Sequence, residues 1–456
     1  MKKVLQWLDG AGLCALILAM CSQVDVRRVG RDTLAEGLGY ATKTLSVALS
    51  DVVFLLVTLF FVARVIQMRA AKRLWWPPLP CFALIFALVL SALHSGSVMG
   101  AIAASIGENG FGPRAFLTKE SKEALAEIAQ WSAYFLVAPW VFVNLLHDRR
   151  DEAQFISRRA LSLGAFTFAV MASGIAALAQ LQAFKESAPR GFFGSAHVYG
   201  AFLALAVPLL LESESNDARA QIRSWMLSIA LVFIALWTNI SPYALLAAGI
   251  GLIFAALSRR GGVKIRAFRL ALIAALAITS LGLWRLPESL QPYRKSETAL
   301  SSPTQKVKKQ FVEWQAALGW SVPRERAFAT GFGPGNYQLN IGPLYNSLPN
   351  EEKMPPDSNN LYLVQGVSIG ILGLGALLWV LAHFWTTAWN AAKRFPNDWL
   401  GAGVVGALSS WMVVNAFHAL VVRGAGLVLA FLFALAIVAS RGERNDSENQ
   451  TVENSP

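Results

Sequence analysis

The stretch "PDSNNLYLVQGVSIGILGLG", residues 356–375, joins two unlike halves. Asp357, Ser358, Asn359 and Asn360 crowd the mouth of an apolar run that continues well past Gly375. One such polar residue is enough to cap a helix, so the surplus raises the question of a site. The apolar run itself decides the fold class. Hydrophobic residues make up 55% of the 456-residue chain and charged residues 15%, where a soluble domain carries about a quarter charged. Mean hydropathy is +0.46. Charges are confined to short loops between apolar runs, and crossing about 30 Å of hydrocarbon takes about 20 apolar residues. The pattern is that of an all-α integral membrane protein, since helices satisfy their own backbone in lipid.

Twelve transmembrane helices are expected, near 5–23, 46–68, 76–97, 124–146, 160–183, 196–212, 224–240, 242–258, 268–284, 360–387, 399–418 and 421–440. With the N-terminus inside, the inner segments carry about 20 Lys and Arg against about 10 in the short outer loops, the bias expected of cytoplasmic loops. Both termini are then cytoplasmic. The chain divides into helices 1–9 (1–284), a large outer loop (285–358), helices 10–12 (359–440) and a polar tail (441–456), which reads as disordered. The net charge of +12 falls between apolar runs, so it reads as topology signal and contact with anionic lipid rather than nucleic-acid binding.

Cys14, Cys21 and Cys81 all lie in apolar segments and give neither a disulfide framework nor metal-ligand spacing. The start resembles a signal peptide ending at a lipoprotein-type cysteine, but Asp9 and Met20 argue for an uncleaved first helix. Asp51 and Arg64, near the two ends of one span, read as interfacial residues. In the outer loop, Val307, Phe311, Trp314 and Leu318 recur at helical spacing opposite Lys306, Lys308 and Lys309, which reads as a basic amphipathic helix on the membrane surface. "TGFGPGN", 330–336, follows no strand and reads as a turn returning the loop to the membrane.

Arg190 opens the segment "APRGFFGSAHVYGAFLALAVPLLL", 188–211, on the outer side beside Gly191 and Gly194. A guanidinium there suits a diphosphate, because its planar fork gives two parallel charge-assisted hydrogen bonds. An interfacial anchor snorkelling to headgroups is the plain alternative.

Three segments in order, "RGFFGSAHVYGAFLALAVP", "ATGFGPGNY" and "NNLYLVQGVSIGILG", together resemble the O-antigen ligase and polymerase superfamily over residues 120–440. The resemblance implies a GT-C-like fold with one large periplasmic loop between helices 9 and 10, in the bacterial inner membrane. It implies transfer of a glycan from undecaprenyl diphosphate to an acceptor hydroxyl at the periplasmic face, with no metal and no cofactor. Ligases use the lipid A core as acceptor, and polymerases use another glycan repeat. The family's His-Asn pair, nine residues, then Gly-x-x-Gly is matched at Asn360, Gly370 and Gly373, and Arg190 aligns with its first essential Arg.

Two positions depart from that pattern. Asn359 stands where the family has its His, and an amide cannot act as a general base. Pro242, in "PYALL", stands where the family has a second Arg; His197 stands where many relatives have Asn. An active enzyme would hold the diphosphate through Arg190 with Arg324 or Arg326, and take its base from Asp357 or His197. A chain that has lost the reaction would keep lipid-linked glycan binding or a scaffold role in envelope assembly. A twelve-helix transporter is the third class, but the two halves show no repeat.

Overall fold

A computed structural model describes residues 2–21, 49–67, 74–95, 119–146, 152–183, 191–193, 196–211, 242–258, 314–315, 317–318, 325–337, 340, 360–396, 398–417 and 424–441. Among them there are helices and turns and no strand. The helices are α1 (Lys2–Met20), α2 (Leu49–Gln67), α3 (Leu79–His94), α4 (Lys119–Ser132), α5 (Ala138–Leu146), α6 (Glu152–Ala183), α7 (Ala196–Leu211), α8 (Pro242–Ser258), α9 (Glu325–Thr330), α10 (Leu361–Arg394), α11 (Trp399–Asn415) and α12 (Gly424–Ser440). A π-helical turn, Ala133–Val137, joins α4 to α5. Pro139 has no N–H to offer the carbonyl four residues back, and a wider turn at that point is how a helix absorbs such a gap.

Among the described residues, four stretches are long and apolar enough to cross a membrane: Leu49–Gln67, Glu120–Leu146, Arg158–Gln180 and Leu361–Arg394. Six shorter apolar helices accompany them. The chain is an all-α membrane protein. The expected spans 224–240 and 268–284, and the tail from 442, lie outside the described residues. The expected span 360–387 lies within a longer element, since α10 runs on to Arg394.

Apolar character on every face of α12 places that helix at the centre. Leu427 to Ala439 are buried throughout, and Phe433 stacks on Phe384 of α10 with ring centroids 4.0 Å apart. At the periphery, α2 presents Leu55, Leu56, Leu59 and Ile66 outward, a lipid-facing stripe. Small residues bring α7, α8 and α11 into backbone contact, as membrane helices require when apolar burial gives no net drive. A Cβ on Gly406 would lie 2.6 Å from Pro208 Cβ and 2.8 Å from the Gly251 carbonyl. The Ser410 hydroxyl donates to the Ala247 carbonyl at 3.0 Å. These pairings make α11 antiparallel to both α7 and α8, so α7 and α8 run parallel.

One end of the bundle is tied by charge. Asp9 of α1, 3% exposed, pairs with Arg64 of α2 and accepts from Arg158 of α6 at 3.3 Å. Arg158 also donates to the Leu145 carbonyl at 3.0 Å. The next residue, Arg159, binds Asp398 through both guanidinium nitrogens, one at 2.9 Å, and Asp398 also caps α11 through Leu400 N–H. Nearby, Asn144 of α5 clamps both backbone groups of Trp75 at 2.8 and 3.0 Å. Arg64 stands in the last turn of α2, where it meets a buried carboxylate that would be costly unpaired.

Removing the shared carboxylate leaves two guanidinium groups without it. Asp9→Leu is expected to destabilise the bundle by about 3–5 kcal/mol, read as a lowered thermal midpoint of detergent-solubilised protein. Thr386→Val, on an exposed hydroxyl, should leave that midpoint in place.

Candidate functional site at the broken helix

At the opposite end most ties run through main-chain groups, amides and hydroxyls, and they gather around a break in α10. Gly370 has φ 67° and ψ −175°, a left-handed conformation that only glycine adopts cheaply. The helix is thus two pieces, 361–369 and 371–394. A break orphans the last carbonyls of the first piece, and in lipid each must find a partner. The glycine loop supplies them. Phe332 N–H donates to the Val367 carbonyl at 3.1 Å and Gly333 N–H to the Ser368 carbonyl at 2.8 Å. The Ser91 hydroxyl, from α3, adds a second bond to the Ser368 carbonyl at 3.1 Å.

Glycines make this approach possible. A Cβ on Gly370 would fall 2.3 Å from the Ala329 carbonyl oxygen, and one on Gly331 (φ +73°) 2.3 Å from that of Ser368. Both close contacts are to backbone, which cannot swing away. A Cβ on Gly373 would instead meet the side chain of Ile369 at 2.4 Å. The loop is held at its sides as well. Thr330 Oγ1 lies 2.7 Å from His94 Nδ1 at the end of α3, and a Cβ on Gly335 would lie 2.9 Å from the Glu123 carbonyl of α4. Asn336 closes the turn, with its N–H on the Gly333 carbonyl at 3.2 Å. Tyr337 packs in a small apolar cluster with Ala317 and Val367.

Polar side chains line the same corner. Gln365 of α10, 3% exposed, donates through Nε2 to Glu127 Oε1 of α4 at 3.0 Å. The Tyr362 hydroxyl donates to the Met412 carbonyl of α11 at 2.8 Å. Gln180, near the end of α6, clamps Gly191 by accepting from its N–H at 2.9 Å and donating to its carbonyl at 2.8 Å. Gly191 (φ +57°) leaves no room for a side chain, because a Cβ would sit 2.4 Å from Ser173 Oγ. The segment following position 190 is thus fastened to α6 at this same end of the bundle. Among the described residues, no group of three His, Cys, Asp or Glu side chains has the arrangement of a metal site.

The motif positions meet different fates. Asn360 is the cap of α10, its Oδ1 accepting from Tyr362 and Leu363 N–H at 3.0 and 3.1 Å, so the polar cluster contributes one helix cap. Gly370 is the break, and Gly373 lies one turn beyond it, beneath Ile369. Pro242 is the first residue of α8, a position where its missing N–H costs nothing. His197 lies in the first turn of α7 and Arg326 in α9, with side chains outside the described residues. Arg190, Arg324, Asp357 and Asn359 lie outside them altogether, as do Lys306, Lys308 and Lys309.

Thr330 and Asn336 enter the site from the stretch read in the sequence as a turn, and Ser91, Glu127, Gln365 and Ser368 enter it without having been singled out. A signal existed for two of them. Gln365 and Ser368 are polar, three residues apart and inside an otherwise apolar span, so they share a face. No family model matches the chain, and no curated protein does.

The break gives a direct comparison between two glycines of one motif. Gly370→Ala is expected to cost about 1–3 kcal/mol and to release the glycine loop, read as faster protease cleavage within 331–336. Gly373→Ala, which meets Ile369 from its Cβ outward and no backbone of the loop, should leave the cleavage rate near that of the parent.

Proposed function

We propose that the protein is an O-antigen ligase-like membrane glycosyltransferase. It moves a glycan from undecaprenyl diphosphate to an acceptor hydroxyl, of the lipid A core or another acceptor, at the periplasmic face of the inner membrane. One observation carries the reading. Two of the three segments on which the resemblance rests, "ATGFGPGNY" and "NNLYLVQGVSIGILG", lock together at the motif glycine Gly370. The third, beginning at Arg190, continues into a turn fastened at the same end. Twelve crossings with a GT-C-like arrangement accompany this reading. The parallel course of α7 and α8 supports an added crossing between them, since antiparallel neighbours alone would need none.

The chemistry asks little of a covalent kind. The leaving group is already a stabilised diphosphate, so positioning and cations at the developing charge do most of the work. Arg190 holds the diphosphate, assisted by Arg324 or Arg326, and Asp357 or His197 takes the proton of the acceptor hydroxyl. A second reading has its own observation. Asn359 and Pro242 replace the family's base and its second Arg, as in a chain that binds lipid-linked glycan without transferring it. A polymerase, with another repeat as acceptor, shares the site and differs in what it accepts.

Surface-polysaccharide ladders from cells with and without the gene separate these readings. Carrier-linked chains accumulating on deletion mean ligation, loss of long chains means polymerisation, and an unchanged ladder defeats the enzymatic reading. Arg190→Ala should reproduce the deletion, while Arg73→Ala, in a segment read from the sequence as cytoplasmic, should not. With purified donor, whichever of Asp357→Asn and His197→Ala removes the base should lose about 10²–10⁴-fold in rate.

A further inference from the structure

The charged end of the bundle carries two cations that no carboxylate among the described residues answers. Lys393 and Arg394 stand in the last turn of α10 and are exposed. Their neighbours at this end, Arg64, Arg158 and Arg159, all meet Asp9 or Asp398. Among the described residues, Lys393 and Arg394 have aromatic rings as their partners and no acceptor. The helix dipole accounts for positive charge at a helix C-terminus, but not for the way Lys393 is held.

A succession of side chains fixes that ammonium group. The Trp385 indole N–H donates to Ser409 Oγ of α11 at 2.9 Å, and Phe254 of α8 meets the Trp385 ring edge-on at 5.8 Å. Trp389, one turn further along α10, stacks on Trp385 with ring centroids 4.9 Å apart. Lys393, a turn beyond that, sets Nζ 4.8 Å from the Trp389 centroid, within cation–π range. Beside it, the Arg394 guanidinium lies over Phe395 at 5.4 Å. A lysine tail ordinarily gives up rotamer freedom when it binds a ligand; here much of that freedom is lost in advance.

The same face of α10 supplies an apolar half. Ile371, Leu372, Leu378 and Trp379 are exposed along it. Lys393 follows Leu378 and Trp379 by fifteen and fourteen residues, about four helical turns, so it stands over their face. An apolar strip that ends in two open cations matches a ligand with a hydrocarbon chain and an anionic head. We propose that Lys393 and Arg394 bind the headgroup of an anionic phospholipid, whose chain lies along the strip below. Trp389 is the positioning residue, since it sets where the Lys393 ammonium waits. A soluble phosphate would leave the strip unused. A zwitterionic headgroup brings a cation of its own, which the two basic residues repel. The site is independent of the glycan reading and lies at the end of the bundle away from the broken helix.

Native mass spectrometry of the full-length protein tests this, with phosphatidylglycerol and phosphatidylcholine of identical chains offered in equal amounts. The first lipid retained is expected to be phosphatidylglycerol. Lys393→Gln should cut that preference about fivefold and the double change with Arg394→Gln about 25-fold, while Lys393→Arg keeps most of it. Trp389→Leu leaves every charge in place and should still weaken the preference, because the ammonium is no longer held. Lys122→Gln, at an exposed lysine of α4 near the other end, should change nothing. No preference in the parent would overturn the proposal. So would an equal loss in Lys122→Gln and Lys393→Gln, which marks attraction by net charge alone. An unchanged preference in Trp389→Leu would overturn the positioning role. Glycerol phosphate displacing the lipid at equal concentration would overturn the assignment to a lipid.

Discussion

Inside a bilayer no water is available to a backbone carbonyl, so a helix that breaks there must be mended by other parts of the protein. The rest of the corner around the break in α10 follows from that constraint. Gly370 breaks α10, and the orphaned carbonyls of Val367 and Ser368 recruit the N–H groups of Phe332 and Gly333. The loop bearing those groups can approach only because Gly331 and Gly370 lack side chains. Once docked, it carries Thr330 to His94 and Gly335 to α4. A single unpaired stretch of backbone thus fixes how three distant pieces of chain meet.

The two ends of the bundle are held by different forces. One uses carboxylate–guanidinium pairs that close tightly and hold helices in place. The other uses mainly amides, hydroxyls and main-chain groups, with the Glu127 carboxylate accepting from Gln365, and leaves a polar corner. A diphosphate needs donors and positive charge. On the glycosyltransferase reading those come from Arg190, Arg324 and Arg326, on segments leading into the turn at Gly191 and the helix ahead of the glycine loop. The corner and the arginines then have complementary tasks, one shaping the loop and the other gripping the substrate.

Much of the fold was legible in the sequence because the lengths of apolar runs and the placement of charge are direct responses to lipid. The helices α2, α3, α7 and α11 follow from that alone. What was not legible depends on partners far away in the chain. The pairing of Arg64 with Asp9 is such a case, since nothing local to either residue announces the other. Gly370 reads as a motif position, but its φ is set by the approach of Ala329 and Thr330, some forty residues earlier. The polar cluster at 357–360 invited a catalytic reading, and the residue of it that is described, Asn360, is a helix cap. Gln365 and Ser368, plain in the apolar run, were the better clue to the buried polar corner.

Arg158 and Arg159 are neighbours in α6 yet face opposite ends of the polypeptide, one binding Asp9 and the other Asp398. Membrane helices are delivered to the bilayer in order of synthesis, so the first of these bonds can form early. The second has to wait for 239 further residues. Until then Arg159 sits uncompensated on a helix already inserted. The bundle is consequently latched at that end only once Asp398 has been made and inserted, and a chain truncated before Asp398 would expose its defect to quality control as a lone arginine.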